Sequence, residues 1–152
     1  MSGGNTKKPH VVVLGGVEYL GDDYLNDFRN EFELEFLNAK DRTELKEKLP
    51  LIIANKSPVD ALIITADYAP YAPLDEELLG SLVPHCRILC SAWAGYNEYD
   101  VSWVTSQNMW FCNTVDAVAE ATADMALFLI LAVVRNTYVA EKLARRGSGT
   151  TP

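Results

Sequence analysis

Five short apolar segments recur along the chain, and each is followed by residues with helical spacing of apolar and polar positions. Continuous runs rich in valine, isoleucine and leucine are typical of strands that are buried on both faces. The second segment alternates apolar and acidic residues instead, which predicts a strand with one wetter face. The predicted strands are residues 10–14, 32–37, 61–65, 87–91 and 109–112.

Residues that favour helix starts precede the intervening segments. Asp22 and Asp23 begin one helix, Asp41 or Thr43 caps the next, and Asp75 begins a third, because carboxylates are favourable at a helix N-terminus. The predicted helices cover residues 22–30, from 41 or 43 to 55, 75–83, a short helix from 100, and one long helix from about 118 to 146. This alternation predicts an α/β fold of the flavodoxin type, a doubly wound parallel sheet of about five strands that ends in a long helix.

The two ends of the chain differ in composition from the middle. Residues 1–9 are polar and contain glycine and proline without an apolar run, which predicts a disordered lead rather than a signal peptide. Residues 10–146 are predicted to form one domain, and residues 147–152 a tail. The longest uninterrupted apolar run, residues 125–134, is too short to cross a bilayer, which takes about 20 residues. We therefore expect a soluble protein without a membrane partner.

Charge and cysteine content exclude several classes of function. The formal net charge is −8, whereas nucleic-acid binding requires clustered Lys and Arg, so no nucleic-acid partner is expected. The three cysteines, Cys86, Cys90 and Cys112, lack the paired spacing of a zinc site, so no metal is expected. The simpler interpretation is that the three cysteines are buried thiols in a reducing compartment. This interpretation predicts a cytoplasmic protein.

A glycine-rich turn, residues 15–21, follows the first strand, where nucleotide-binding loops lie. The dinucleotide pattern G-x-G-x-x-G fails, because Val17 and Leu20 stand where glycines are needed. The spacing from Gly16 to Gly21 suits a phosphate-binding loop, but Asp22 and Asp23 follow where Lys and Ser or Thr are required. A structural turn with acidic capping of the next helix is therefore predicted.

A second glycine-containing loop, residues 92–98, follows the fourth strand at the carboxyl edge of the predicted sheet, where α/β proteins bind ligands. Gly95 can adopt a positive φ and leave backbone N–H groups uncovered, which can form an anion-binding nest. A substrate carboxylate is an anion of suitable kind. From the residues alone, a plain tight turn before a helix is the simpler alternative.

Three blocks in the last third of the chain are similar to a known family. The string RILCSAWAGYNEYD of residues 87–100, the pair Asn113-Thr114, and EATADMA of residues 120–126 resemble D-isomer-specific 2-hydroxyacid dehydrogenases. The likeness is nearest to fungal D-mandelate dehydrogenase-like and glyoxylate or hydroxypyruvate reductase members. It implies the N-terminal substrate domain, with a long helix of the interdomain type at its end.

The resemblance also implies a substrate site. The backbone N–H groups of Ala94 and Gly95 would hold the carboxylate of a small 2-oxo or 2-hydroxy acid, with Trp93 and Tyr96 on either side. Trp93 stands where the family usually has glycine, so it is expected to fill space beside the substrate or to rebuild the loop.

In this family, the domain that binds NAD or NADP follows the long helix and brings the glycine fingerprint and the catalytic Arg, Glu and His. This chain has no histidine after His85 and only Gly147 and Gly149 after Gly95. We therefore expect no NAD-binding Rossmann domain, no catalytic residue and no bound cofactor in this chain alone.

Three interpretations stay open. The chain is the substrate domain of an NAD(P)-dependent D-2-hydroxyacid dehydrogenase, truncated or split and inactive alone. Alternatively, it is a non-catalytic binding or interaction module derived from that family, or an unrelated flavodoxin-like binding domain. Because the segment of residues 125–134 is apolar on every side, a second copy or a separate cofactor domain is expected to cover it.

Overall fold

A computed structural model describes residues 7–17, 20–55 and 58–147 and contains one parallel β-sheet. Its strands are β1 (His10–Leu14), β2 (Glu33–Leu37), β3 (Ala61–Ile64), β4 (Ile88–Ser91) and β5 (Trp110–Cys112). They lie in the order β2-β1-β3-β4-β5, and each neighbouring pair is parallel. This is the strand order of flavodoxin-like folds, so the predicted fold class is confirmed.

The described residues contain six α-helices, three of which are capped by an aspartate. They are α1 (Asp22–Glu31), α2 (Arg42–Asn55), α3 (Glu76–Leu79), α4 (Val101–Ser106), α5 (Val115–Val134) and α6 (Thr137–Arg145). The carboxylates of Asp41, Asp75 and Asp100 each accept a hydrogen bond from a backbone N–H in the first turn, at 2.9, 3.2 and 2.9 Å. Asp41 rather than Thr43 therefore caps α2, which decides the alternative that the sequence left open.

The core lies on one face of the sheet. Side chains alternate along β3 and β4, so that Leu62, Ile64 and Leu89 are buried against Leu45 and Leu49 of α2. The opposite face carries the other residues of these strands. There, an apolar cavity of about 340 Å³ lies between α1 and the sheet. One face of the sheet is thus fully covered, and the other keeps an open groove.

The chain divides into two compact units, the first ending at Thr114 and the second beginning at Val115. The second unit contains α5 and α6, so the prediction of one unbroken helix over residues 118–146 is wrong. Asn136 adopts the left-handed conformation with φ 51° and separates the two helices. The limits of the domain, residues 10–146, stay a prediction. Most of the predicted lead and tail, residues 1–6 and 148–152, lies outside the described residues.

Helix α5 is longer than its uninterrupted apolar run. It has 20 residues, none of them buried, and by length and composition it is able to cross a membrane. Residues 125–134 are only the uninterrupted part of this apolar helix, which the alanine-rich turns before them extend to Val115. The prediction that this segment is too short to span a bilayer is therefore wrong.

The cysteines differ in exposure. Cys86 is buried, Cys90 is partly buried, and Cys112 is exposed, so the prediction of three buried thiols is wrong for two of them. All three are free thiols. The reason is topological, because β5 is the short edge strand of the sheet and Cys112 is its last residue.

Candidate functional site

The loop after β4 begins at a buried serine that organises it. The Ser91 hydroxyl group accepts hydrogen bonds from the Tyr99 hydroxyl at 3.1 Å and from the Trp93 backbone N–H at 3.2 Å. The Ala92 N–H donates to the Ile64 carbonyl at the end of β3, at 2.9 Å. Both ends of the loop are thereby attached to the carboxyl edge of the sheet, the edge that the sequence predicted for a ligand.

The segment after β5 holds the loop from its other side. The Asn113 side-chain amide donates to the Ala94 carbonyl at 2.8 Å, and the Thr114 hydroxyl donates to the Ala92 carbonyl at 2.7 Å. The Thr114 backbone N–H donates to the carbonyl of Trp93 at 3.3 Å. Three consecutive carbonyls of the loop are therefore occupied. The sequence had singled out Asn113 and Thr114 as a family block but had shown no role for them.

The N–H groups of the same loop have a different environment. Among the described residues, none accepts a hydrogen bond from the backbone N–H of Ala94 or Gly95. Gly95 is exposed and Ala94 partly exposed, so both groups are within reach of solvent. Unoccupied adjacent N–H groups on a loop with occupied carbonyls can receive an anion.

Close packing, rather than a special backbone conformation, favours glycine at position 95. The positive φ that the sequence allowed is not found, because among the described glycines only Gly15 and Gly147 have φ in the left-handed region. Instead, a Cβ atom at Gly95 would lie 3.2 Å from the hydroxyl oxygen of Tyr68, closer than most real Cβ contacts. The glycine therefore admits the Tyr68 side chain, which comes from the loop after β3.

Aromatic side chains surround the loop. The Trp93 indole N–H donates to the Ala66 carbonyl at 3.0 Å, and its ring meets that of Tyr68 edge-on at a centroid distance of 6.0 Å. Trp93 thus links the loops after β3 and β4 while 44% of its surface stays exposed. Tyr96, on the other side of Gly95, meets Phe111 edge-on at 6.4 Å. Sequence reasoning missed Tyr68, because its contact with Gly95 joins residues that are far apart in the chain.

The loop has hydrogen-bond donors but little charge. Residues 91–99 contain one carboxylate, Glu98, and no Lys or Arg. Burial raises the pKa of Tyr99, so its hydroxyl stays protonated and keeps its bond to Ser91 at ordinary pH. An anion here would be held by neutral backbone donors beside an aromatic surface. The 340 Å³ cavity borders the base of the loop through Ala92 and Thr114 but does not include Ala94 or Gly95.

The glycine turn after β1 is closed by the neighbouring loop. Gly15 has φ 110°, and a Cβ atom there would lie 2.5 Å from the Ala66 backbone nitrogen. The Thr65 hydroxyl donates to the Gly16 carbonyl at 2.9 Å and holds the turn against β3. Close packing against the loop after β3 therefore explains the glycine. Residues 18 and 19 of this turn lie outside the described residues.

Comparison with known proteins identifies relatives of similar architecture. The family described as D-isomer specific 2-hydroxyacid dehydrogenase, catalytic domain, matches residues 11–150. The dehydrogenase efuE of Hormonema carpetanum is 48% identical over 84% of this chain and 32% of that protein. A glyoxylate reductase of Pyrococcus furiosus is 30% identical over 92% of this chain and 38% of that protein. The crystal structure of apo D-mandelate dehydrogenase from Rhodotorula graminis matches with a TM-score of 0.78 at 28% identity, over 92% of this chain and 41% of that one.

These matches confirm the resemblance inferred from the blocks within residues 87–126, including its likeness to fungal D-mandelate dehydrogenase and to glyoxylate reductases. The alternative of an unrelated flavodoxin-like domain is therefore wrong. The one helix of this length and composition among the described residues, α5, is weak evidence by itself and does not indicate a membrane protein. The chain spans about a third to two fifths of the length of these relatives. It belongs to the D-isomer specific 2-hydroxyacid dehydrogenase family and matches the catalytic domain of that family.

Proposed function

We propose that this chain is the substrate-binding part of an NAD(P)-dependent D-2-hydroxyacid dehydrogenase and that Ala94 and Gly95 bind the substrate carboxylate. The observation that carries the proposal is the pair of adjacent backbone N–H groups without an acceptor among the described residues. Asn113 and Thr114 occupy the neighbouring carbonyls, so the loop presents donors rather than acceptors to a ligand. The substrates proposed for the whole protein are small 2-oxo and 2-hydroxy acids.

Binding by this loop alone should be weak. A hydrogen bond to a charged group contributes about 1.5–3 kcal/mol, so two of them give roughly 3–6 kcal/mol before the cost of immobilising the ligand. Since a Kd of about 1 mM corresponds to roughly 4 kcal/mol, millimolar or weaker affinity is expected. Trp93 and Tyr96 add aromatic surface, which favours phenylglyoxylate over glyoxylate.

The family uses NAD(P), but the described residues do not fit a dinucleotide. The turn after β1 lacks the glycine fingerprint, and the carboxylates of Asp22 and Asp23 follow it where a phosphate would need positive charge. We therefore derive no catalytic step from this chain. Its role in the reaction is to bind and orient the acid, and NAD or NADP would be held by residues other than those described.

Nuclear magnetic resonance of backbone amides tests the proposal. Addition of glyoxylate or phenylglyoxylate should shift the signals of residues 93–97, with the larger shifts for phenylglyoxylate. Gly95→Val should abolish these shifts, because its side chain meets the Tyr68 hydroxyl and crowds the space next to the proposed donors. Gly21→Val is the matched control, since nothing lies within 4 Å of a Cβ at that exposed position. Shifts centred elsewhere, or equal binding by Gly95→Val, would contradict the proposal.

A second candidate function, a non-catalytic interaction module, is supported by the exposure of α5. Six of its large apolar side chains between Met125 and Leu131 are more than half exposed. A second copy of the chain or a separate cofactor domain is the partner we propose for residues 125–134. For either function we propose the cytoplasm as the location, because three free thiols are typical of a reducing compartment.

A further inference from the structure

Two cysteines face each other across neighbouring strands. Cys90 on β4 is the register partner of Cys112 on β5, and the preceding partners, Leu89 and Phe111, pack on the core side. Successive side chains of a strand point to opposite faces, so both thiols lie on the face opposite the core. Neighbouring strands are about 4.8 Å apart, which is within the Cα separation of disulfides, roughly 4.4–6.8 Å.

The two thiols have unequal access to reagents. Cys112 is exposed, whereas Cys90 is partly buried at the edge of the 340 Å³ cavity. Burial, together with the neighbouring Cys112 thiol, raises the pKa of Cys90 to about 11. Cys86 differs from both, because it is buried and its thiol donates to the Ile88 carbonyl at 3.4 Å. A soluble oxidant would therefore meet Cys112 first, and Cys90 is the thiol next to it.

We propose that Cys90 and Cys112 are a redox-modification site that forms a reversible disulfide when the protein meets a hydroperoxide. The Cys112 thiolate attacks one peroxide oxygen, breaks the O–O bond and becomes a sulfenic acid, while the other oxygen leaves and is protonated to water or alcohol. The Cys90 sulfur then attacks the Cys112 sulfur, the S–O bond breaks, and the hydroxyl leaves as water with the Cys90 proton. The two thiols are oxidised by two electrons and the peroxide is reduced by two.

The disulfide lies at the base of the candidate substrate loop. Cys90 is two residues before Ala92, and Cys112 directly precedes Asn113, whose amide holds the Ala94 carbonyl. Joining the two sulfur atoms fixes the side-chain torsions of Cys90 and Cys112 and constrains the backbone that leads from β5 into Asn113. The cross-link therefore changes the hydrogen bonds that position Ala94 and Gly95. This regulatory step rests on the proposed function, whereas the cross-link itself does not.

Mass spectrometry of the reduced protein after treatment with hydrogen peroxide tests the cross-link. The intact chain should lose two hydrogen atoms, non-reducing peptide mapping should join Cys90 to Cys112, and dithiothreitol should restore the original mass. Cys90→Ala and Cys112→Ser should not form this product, whereas Cys86→Ser, the matched control, should form it. If a variant does not fold, the peptide map of the wild-type chain decides. Addition of oxygen at Cys112 without a link, or a link to Cys86, would overturn the proposal.

Amide spectra of the reduced and oxidised protein test the effect on the loop. The signals of residues 92–95 should differ between the two forms, and the shifts induced by glyoxylate should weaken at least threefold after oxidation. If the disulfide forms while these signals stay unchanged, the regulatory step is wrong and the modification site stands. If neither form responds to glyoxylate, the proposed carboxylate site is wrong, and the mass data still decide the cross-link.

Discussion

Replacing Leu127 and Leu131 by lysine should convert a self-associating chain into a monomer. The two residues are one helical turn apart on α5 and are 57% and 52% exposed, and Phe128 and Ile130 beside them are each 60% exposed. Full burial of such a side chain contributes about 1.5–3 kcal/mol, so roughly half of that is still available from each of them. The four side chains together therefore offer about 3–6 kcal/mol per copy.

A symmetric dimer doubles this gain to roughly 6–12 kcal/mol, against a cost of association of at least about 4 kcal/mol. The balance is at most roughly 2–8 kcal/mol, and the upper end of this range corresponds to association with a micromolar Kd. Size-exclusion chromatography with light scattering at about 10 μM is the suitable assay, because an association of roughly 7 kcal/mol is half complete there.

Ser102→Lys with Ser106→Lys is the matched control for the double lysine variant. These serines have the same spacing on α4, are exposed, and belong to the other compact unit, so they add the same charge to a helix other than α5. The control should associate like the wild-type chain. A soluble monomer for the wild-type chain, unaffected by Leu127→Lys and Leu131→Lys, would refute the reasoning and would show that α5 needs no partner.

Three further predictions concern the cofactor, the loop and one helix cap. The 152-residue chain should neither change NADH fluorescence nor reduce glyoxylate, hydroxypyruvate or phenylglyoxylate above the buffer blank, because the described residues do not fit a dinucleotide. Asn113→Ala should lower the free energy of unfolding by about 0.5–1.5 kcal/mol, because the Ala94 carbonyl loses its donor. It should also weaken the amide shifts that glyoxylate induces. Shifts equal to those of the wild-type chain would contradict this role of Asn113. Burial opposes ionisation of Asp75, but the Arg42 hydrogen bond and the bond from the Leu78 N–H leave its pKa below the usual value. The charge of Asp75 therefore stabilises the fold above about pH 4, and this stabilisation is lost as the pH falls through the lowered pKa. Asp75→Asn should thus lower the free energy of unfolding at pH 7 and leave it unchanged in strong acid. Urea denaturation at both pH values measures this difference.

Local patterns in the sequence predicted the sheet well, because each strand is a short apolar run between polar residues. The structure places β1 over the predicted residues and shortens each of the other four strands by one residue. The break between α5 and α6 was missed, because neither Gly nor Pro marks it. Asn136 was the available signal, since asparagine tolerates the left-handed conformation better than most residues, but nothing in its neighbourhood requires that conformation.

The chemistry of the loop was harder to predict, because its donors are backbone groups that every residue except proline possesses. The carbonyls of the loop accept hydrogen bonds from residues 113 and 114, about twenty positions later in the chain. The loop therefore offers its N–H groups, and not these carbonyls, to a ligand. The reason for Gly95 is equally remote, because Tyr68 approaches it from another loop. A site whose donors are backbone N–H groups tolerates substitution of the residues beside those donors, such as the tryptophan at position 93. It should be far more sensitive to substitution at Ser91, Asn113 and Thr114, which hold the loop, than to substitution of the side chains that flank the ligand.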